Sequence, residues 1–147
     1  MRSNKAVWVQ GTLLVVAGVA IALVLAMRLN RPFDRDTLAI EVAQLRSSAA
    51  QAQLLVDNAR ADRLAPGFVR QHAQQMADKV ATTTGKLQKP AQAGLTEQKL
   101  QVQKLGAALQ RALALLGREG GAKRAFAFDS LADALDALDK QLKPGES

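Results

Sequence analysis

The sequence predicts an all-α protein: one N-terminal transmembrane helix followed by an antiparallel, up-down four-helix bundle. Three observations carry that prediction. A long apolar run lies close to the N-terminus, and beyond it hydrophobic residues recur at alternating spacings of four and three in four successive stretches. Of the 147 residues 48% are hydrophobic, yet aromatics make up only 3% and tyrosine is absent. Alanine, leucine and glutamine take their place, and these are good helix formers and poor strand formers.

The expected organisation is a basic tail (1–5), a signal-anchor helix (6–29), a juxtamembrane linker (30–36), a helical bundle (37–143) and a short tail (144–147). From Leu13 to Met27 every residue is apolar or glycine, and Val7, Trp8 and Val9 extend the run backwards. About 22 residues in a helix span about 33 Å, enough for a hydrocarbon core of about 30 Å. Its nine strongly apolar side chains favour insertion by roughly 3 to 5 kcal/mol. A cleaved signal peptide would have a shorter apolar region and a small-x-small site, and Ala26-Met27-Arg28 is a poor one. Gly11, Gly18, Ala22 and Ala26 share one stripe of this helix, a small-xxx-small pattern that lets two membrane helices approach closely. Arg2 and Lys5 precede the anchor while Arg28, Arg31 and Arg35 follow it, so the charges nearly balance. The layout of a short basic tail before the first apolar segment is that of a signal-anchor with an outward-facing domain. In a bacterium, which the alanine-rich composition suggests, this means the inner membrane, with the domain in the periplasm.

The first bundle helix is expected over about 37–64, with a seam of Leu38, Val42, Leu45, Ala49, Ala52, Val56 and Ala59. Leu64-Ala65-Pro66-Gly67 breaks it, because proline cannot continue a helix but can begin one. That break argues for folding back rather than for an extended coiled coil dimerising through the first helix. The second helix, about 67–88, carries Val69, Ala73, Met76, Val80, Thr83 and Leu87, with Thr82-Thr83-Thr84-Gly85 weakening its end. A third, about 96–117, has Thr96 as candidate cap, Leu95 and Leu100 as a hydrophobic staple, and Val102, Leu105, Leu109, Ala112 and Leu116 as its seam. The fourth, about 130–142, starts at a capping-box-like Ser130 and Asp133 and buries Leu131, Leu135, Leu138 and Leu142. Leu54, Leu55, Leu113 and Leu115 broaden the apolar faces beyond a two-stranded seam, and Phe126 and Phe128 are expected to pack across the bundle end.

The net charge of +7 raises the question of nucleic acid, but five of the twenty basic residues flank the anchor. From Asp36 onward fifteen Lys/Arg face twelve Asp/Glu, a balance of +3, and they are interspersed as on solvated helix faces. No dense basic stripe or stacking aromatic accompanies them, so nucleic acid is not an expected partner. Without cysteine there is no disulfide, thiolate nucleophile or thiolate metal site. His72, the only histidine, has no Glu at the helical spacing a metal site needs, and reads as a half-buried helix residue beside the seam. Asp129, Asp133, Asp136 and Asp139 read as a solvated face near a helix N-terminus. Gly117-Arg118-Glu119-Gly120-Gly121 lacks the Lys-Ser/Thr of a phosphate loop. No catalytic residue, cofactor or metal is expected.

What remains is a membrane-tethered helical domain that binds other proteins. The lipid bilayer, other membrane or envelope proteins and a second copy of the chain are its expected partners. A sensory bundle that takes a small ligand between its helices is the alternative. A phage lysis component of the inner-membrane spanin kind also has one anchor and an Ala/Gln-rich outer part. The Pro-Gly fold-back, and the lack of a Pro-rich or basic C-terminal motif, count against that third reading.

Overall fold

The computed structural model describes residues 34–120 and 127–143, which form four α-helices and no strand. These are α1 (Arg35–Arg60), α2 (Pro66–Lys86), α3 (Thr96–Glu119) and α4 (Phe128–Leu142). The expected anchor at 6–29, with Gly11, Gly18, Ala22 and Ala26, lies outside the described residues, as do Phe126 and the two tails. No helix among the described residues is long and apolar enough to cross a membrane.

Each boundary has a local cause. Asp34 caps α1, its carboxylate accepting from the Thr37 N–H at 2.8 Å, and Asp36 adds favourable charge in the first turn. At the other end α1 stops at Arg60, four residues short of the periodicity. There the Asp62 N–H bonds the Ala59 carbonyl at 3.2 Å and the Arg63 N–H bonds that of Asn58 at 3.0 Å. This is a Schellman closure, with Asp62 in the left-handed region at φ 52°. Pro66 then opens α2, where its missing N–H costs nothing. The threonine run stays helical because Thr82 and Thr84 donate their hydroxyls to the carbonyls of Asp78 (3.0 Å) and Val80 (2.8 Å).

Two expected caps fall elsewhere. Thr96 is the first helical residue of α3, and the cap position belongs to Leu95, which makes no side-chain cap bond. The staple register shifts with it, and Leu100 is half exposed. Ser130 is already inside α4, donating its hydroxyl to the Ala127 carbonyl at 2.9 Å. Helix α4 begins two residues earlier than expected, with Phe128 carried fully into the core. Gly120 closes α3 in the left-handed region at φ 63°, its N–H on the Leu116 carbonyl at 2.9 Å. A Cβ there would also come within 2.8 Å of Arg70 Cγ.

Around the bundle α1 neighbours α2 and α4, and α3 neighbours α2 and α4; α1 and α3 also touch across the middle, whereas α2 and α4 do not meet. Contacts run in opposite chain directions: Glu41 with Lys86 and Gln44 with Thr83 between α1 and α2, Arg35 with Gln141 and Arg46 with Asp136 between α1 and α4. Gln103 with Leu87, and Gly117 beside Ala73, do the same for α3 against the end and body of α2. The arrangement is therefore an up-down-up-down bundle.

Leu38, Val42, Leu45 and Val56 of α1, Val69, Met76 and Val80 of α2 with Leu87 after it, and Leu135 and Leu138 of α4 are buried. Each fully buried leucine or valine contributes roughly 1.5–3 kcal/mol. In α3 the buried stripe is Val102, Gly106, Leu109, Leu113 and Leu116, while Leu105 and Ala112 sit half-buried on its margin, as Leu131 does in α4. Gly106 explains the turn of the α3 face. A Cβ there would meet Thr84 Oγ1 at 2.8 Å and Leu45 Cδ1 at 3.5 Å, so glycine is what lets α3 lie close to α1 and α2 together. Leu55 and Leu113 join the core, whereas Leu54 and Leu115 face solvent.

This orientation of α3 yields a direct comparison. Leu113→Ala should lower unfolding stability by about 2–5 kcal/mol, as for a fully buried leucine, and Leu105→Ala by clearly less. Denaturant unfolding of both variants checks it, and equal losses would contradict the placement of Gly106 and Leu113 in the seam.

Candidate functional site

Charges within the bundle decide which surface is left for binding. Between Thr37 and Val56, α1 has only two charged residues, Glu41 and Arg46. Glu41 is buried, and its Oε1 lies 3.1 Å from Lys86 Nζ on α2. Beside it the Thr83 hydroxyl donates to Gln44 Oε1 at 3.5 Å. Arg46 points the other way, to α4, with Nη1 2.6 Å from Asp136 Oδ1 and 3.5 Å from Asp139 Oδ2. Lys140 holds the second oxygen of Asp136 at 2.8 Å. Lys143 Nζ lies 3.4 Å from Asp139 Oδ1, within ion-pair reach but outside hydrogen-bond geometry. Half of the aspartate group on α4 thus ties it to α1, a correction to its reading as one solvated face; Asp129 and Asp133 alone remain exposed.

With both charges drawn inward, the outer face of α1 is left uncharged over five turns. Ile40, Ala43, Ser47, Ala50 and Leu54 follow one another at spacings of four, three, four and three. Ile40 is 57% exposed and Leu54 63%. An open groove of about 520 Å³ runs along the first half of this face, from Asp36, Ile40, Ala43 and Ser47 to Leu142 and Lys143 at the end of α4. The other helices differ: Arg70, Asp78 and Lys79 on α2, Glu97, Lys104, Arg111 and Arg118 on α3, and Asp129, Asp133 and Lys140 on α4 are all exposed. A charged face is well hydrated; an uncharged one with protruding isoleucine and leucine gains by being covered.

Comparison with known protein families, curated proteins and solved structures found no match to this chain. The candidate site therefore rests on side-chain chemistry alone.

His72 is exposed rather than half-buried, and its ring stacks on Phe68 with centroids 5.3 Å apart and planes 11° apart. Met76, expected on the same edge, is buried instead. Phe68, Gln71, His72 and Gln75 line a shallow depression of about 190 Å³ that holds no carboxylate to orient the imidazole, as general-base work requires. Among the described residues no three His, Asp or Glu side chains gather where they could hold a metal ion. The expected core residues from Leu38 to Leu138 are distributed along the bundle interior and its margin, and converge on no pocket. What sequence reasoning missed is the α1 face itself. Its spacing was available as a second alternation, offset from the buried seam by two residues.

The hydrogen bond from Lys140, and then Arg46, hold the Asp136 carboxyl below the ordinary carboxylate range despite some desolvation. The same bond raises Lys140 above the ordinary lysine range. A lowered carboxyl stabilises the fold above its unfolded pKa and loses that contribution as pH falls through its folded value; a raised lysine is lost only as pH rises through its folded value. Stability from this pair should hold across neutral pH and fall at both extremes. Asp136→Asn should flatten the acid limb between about pH 4 and pH 2, read from the thermal midpoint, and an unchanged acid slope would contradict the assignment.

Proposed function

We propose that this protein is a non-catalytic, single-pass membrane protein whose helical domain offers the outer seam of α1 to another helix in an envelope complex. The observation that carries the reading is the uncharged, heptad-spaced face of Ile40, Ala43, Ser47, Ala50 and Leu54 on a helix whose two central charges are engaged elsewhere. A second helix laid along it would bury Ile40 and Leu54 as anchors, in the helix-in-groove mode of recognition. The small residues between them allow close approach, near the lower end of the usual 8–10 Å between helix axes.

The apolar run at 6–29 supports the tether, since it ends five residues before α1 begins. Its small-residue stripe supports association inside the bilayer as well. The inner membrane is the proposed location, with the domain on the periplasmic side. A binding role is further supported by where the displaced pKa values lie. Asp136 and Lys140 belong to a surface ion-pair network between helices, not to a cleft.

Chain solubilised from its own membranes in mild detergent should co-purify with defined partners. Ile40→Glu combined with Leu54→Glu should strip those partners while changing unfolding stability by no more than about 0.5 kcal/mol, because both side chains are exposed. Retention of every partner by the double variant would overturn the assignment of this face.

A further inference from the structure

We infer that the occupant of the α1 seam is a second copy of this chain, docked in parallel about a two-fold axis. The inference rests on the membrane-tethered reading above and names the partner for the same face.

A parallel pair sets each seam residue against its own counterpart. Ala43, Ser47 and Ala50 then form a narrow waist between Ile40 and Leu54, which interdigitate at its two ends. Flanking positions on either side of the seam are Gln44, Gln51 and Asn58 on one edge and Arg46 and Gln53 on the other. In parallel these edges oppose one another, so Arg46 faces the amide of a partner Gln51. In antiparallel alignment about Ser47 the two Arg46 side chains would converge, which like charges disfavour. Asp36 and Asp57 continue the same alternation and bound the apolar seam at its ends, where they remain hydrated.

The chain outside the described residues makes the same choice. Two copies anchored in one membrane emerge from the same side, so their α1 helices start in the same direction. Leu29 and Arg35 are separated by a linker that reaches no more than about 20 Å. Anchors paired through Gly18, Ala22 and Ala26 would therefore keep both α1 helices within reach at millimolar effective concentration. That tether is needed. The seam from Ile40 to Leu54 is about 21 Å long and about 10 Å wide, well below the roughly 800 Å² per partner of a free-standing stable interface.

The absence of cysteine makes the test direct. Ala43→Cys, Ser47→Cys and Ala50→Cys are introduced singly into the full chain in its own membranes and oxidised, with Gln101→Cys on the exposed side of α3 as reference. Each seam variant should form a covalent dimer of twice the chain mass, several-fold above the reference. Adding Leu54→Lys to Ser47→Cys should lower that yield several-fold. Seam positions that cross-link no better than Gln101→Cys, or that join only to a different protein, overturn the second copy. Alkaline carbonate extraction of the same membranes reads the tether separately. Chain retained in the membrane without seam dimers removes the second copy but leaves the tether. Chain released with seam dimers removes the tether alone, and released without them, both.

Discussion

The bundle depends on helices that come close together, because its core has little else with which to fill space. Phe128 is the one fully buried aromatic ring among the described residues; leucine, valine and alanine supply the rest. Native packing density with such side chains requires short distances between helix axes. Gly106 is where that requirement is strictest, since α3 rests there on Thr84 of α2 and Leu45 of α1 at once. Ala49 and Ala52 on α1 and Ala73 on α2, all fully buried, relax it along the rest of the interface.

Close packing also determines where charge can go. Glu41 and Asp139 are nearly buried, and each is approached by cations from a neighbouring helix or the next turn. A buried carboxylate without such company would be strongly unfavourable. These contacts engage the two charges in the middle of α1 and leave its outer face bare. Internal electrostatics and the binding surface are thus two sides of one helix. Binding energy at that surface would come from Ile40 and Leu54, and Ala43, Ser47 and Ala50 would set how close a partner can lie.

Much of this architecture was legible along the chain. The seam of α1 from Leu38 to Val56 and that of α2 from Val69 to Val80 follow a spacing that has one helical solution, and Pro66 marks the reversal. The orientation of α3 was less legible, because a glycine at the centre of a seam carries no hydropathy and leaves Leu105 as the stronger signal. Helix starts depended on tertiary pull: Phe128 draws α4 into the core ahead of the Ser130 signature, and no side-chain bond marks the cap at Leu95. The Arg46–Asp136 contact joins residues ninety positions apart, beyond any local pattern. The outer α1 seam was written in the same alternation as the buried one. Its alanines and serine are weakly hydrophobic, and without the fold nothing distinguished Leu54 from a core leucine.

The turn at Asp62 bears on how the chain reaches this structure. A non-glycine residue in the left-handed region carries roughly 1–2 kcal/mol of strain, so the α1–α2 reversal is not favoured by its own backbone. The α2–α3 connection instead has Gly94 at φ 90°, and these two helices share the most extensive contact in the bundle. Nucleation is then expected in the α2–α3 pair, with α1 added once there is a surface to hold its reversal closed. Residues that gain their contacts early would carry high φ-values around Leu109, and low ones around Val42. In a chain made from its N-terminus, α1 would emerge first and find its place later.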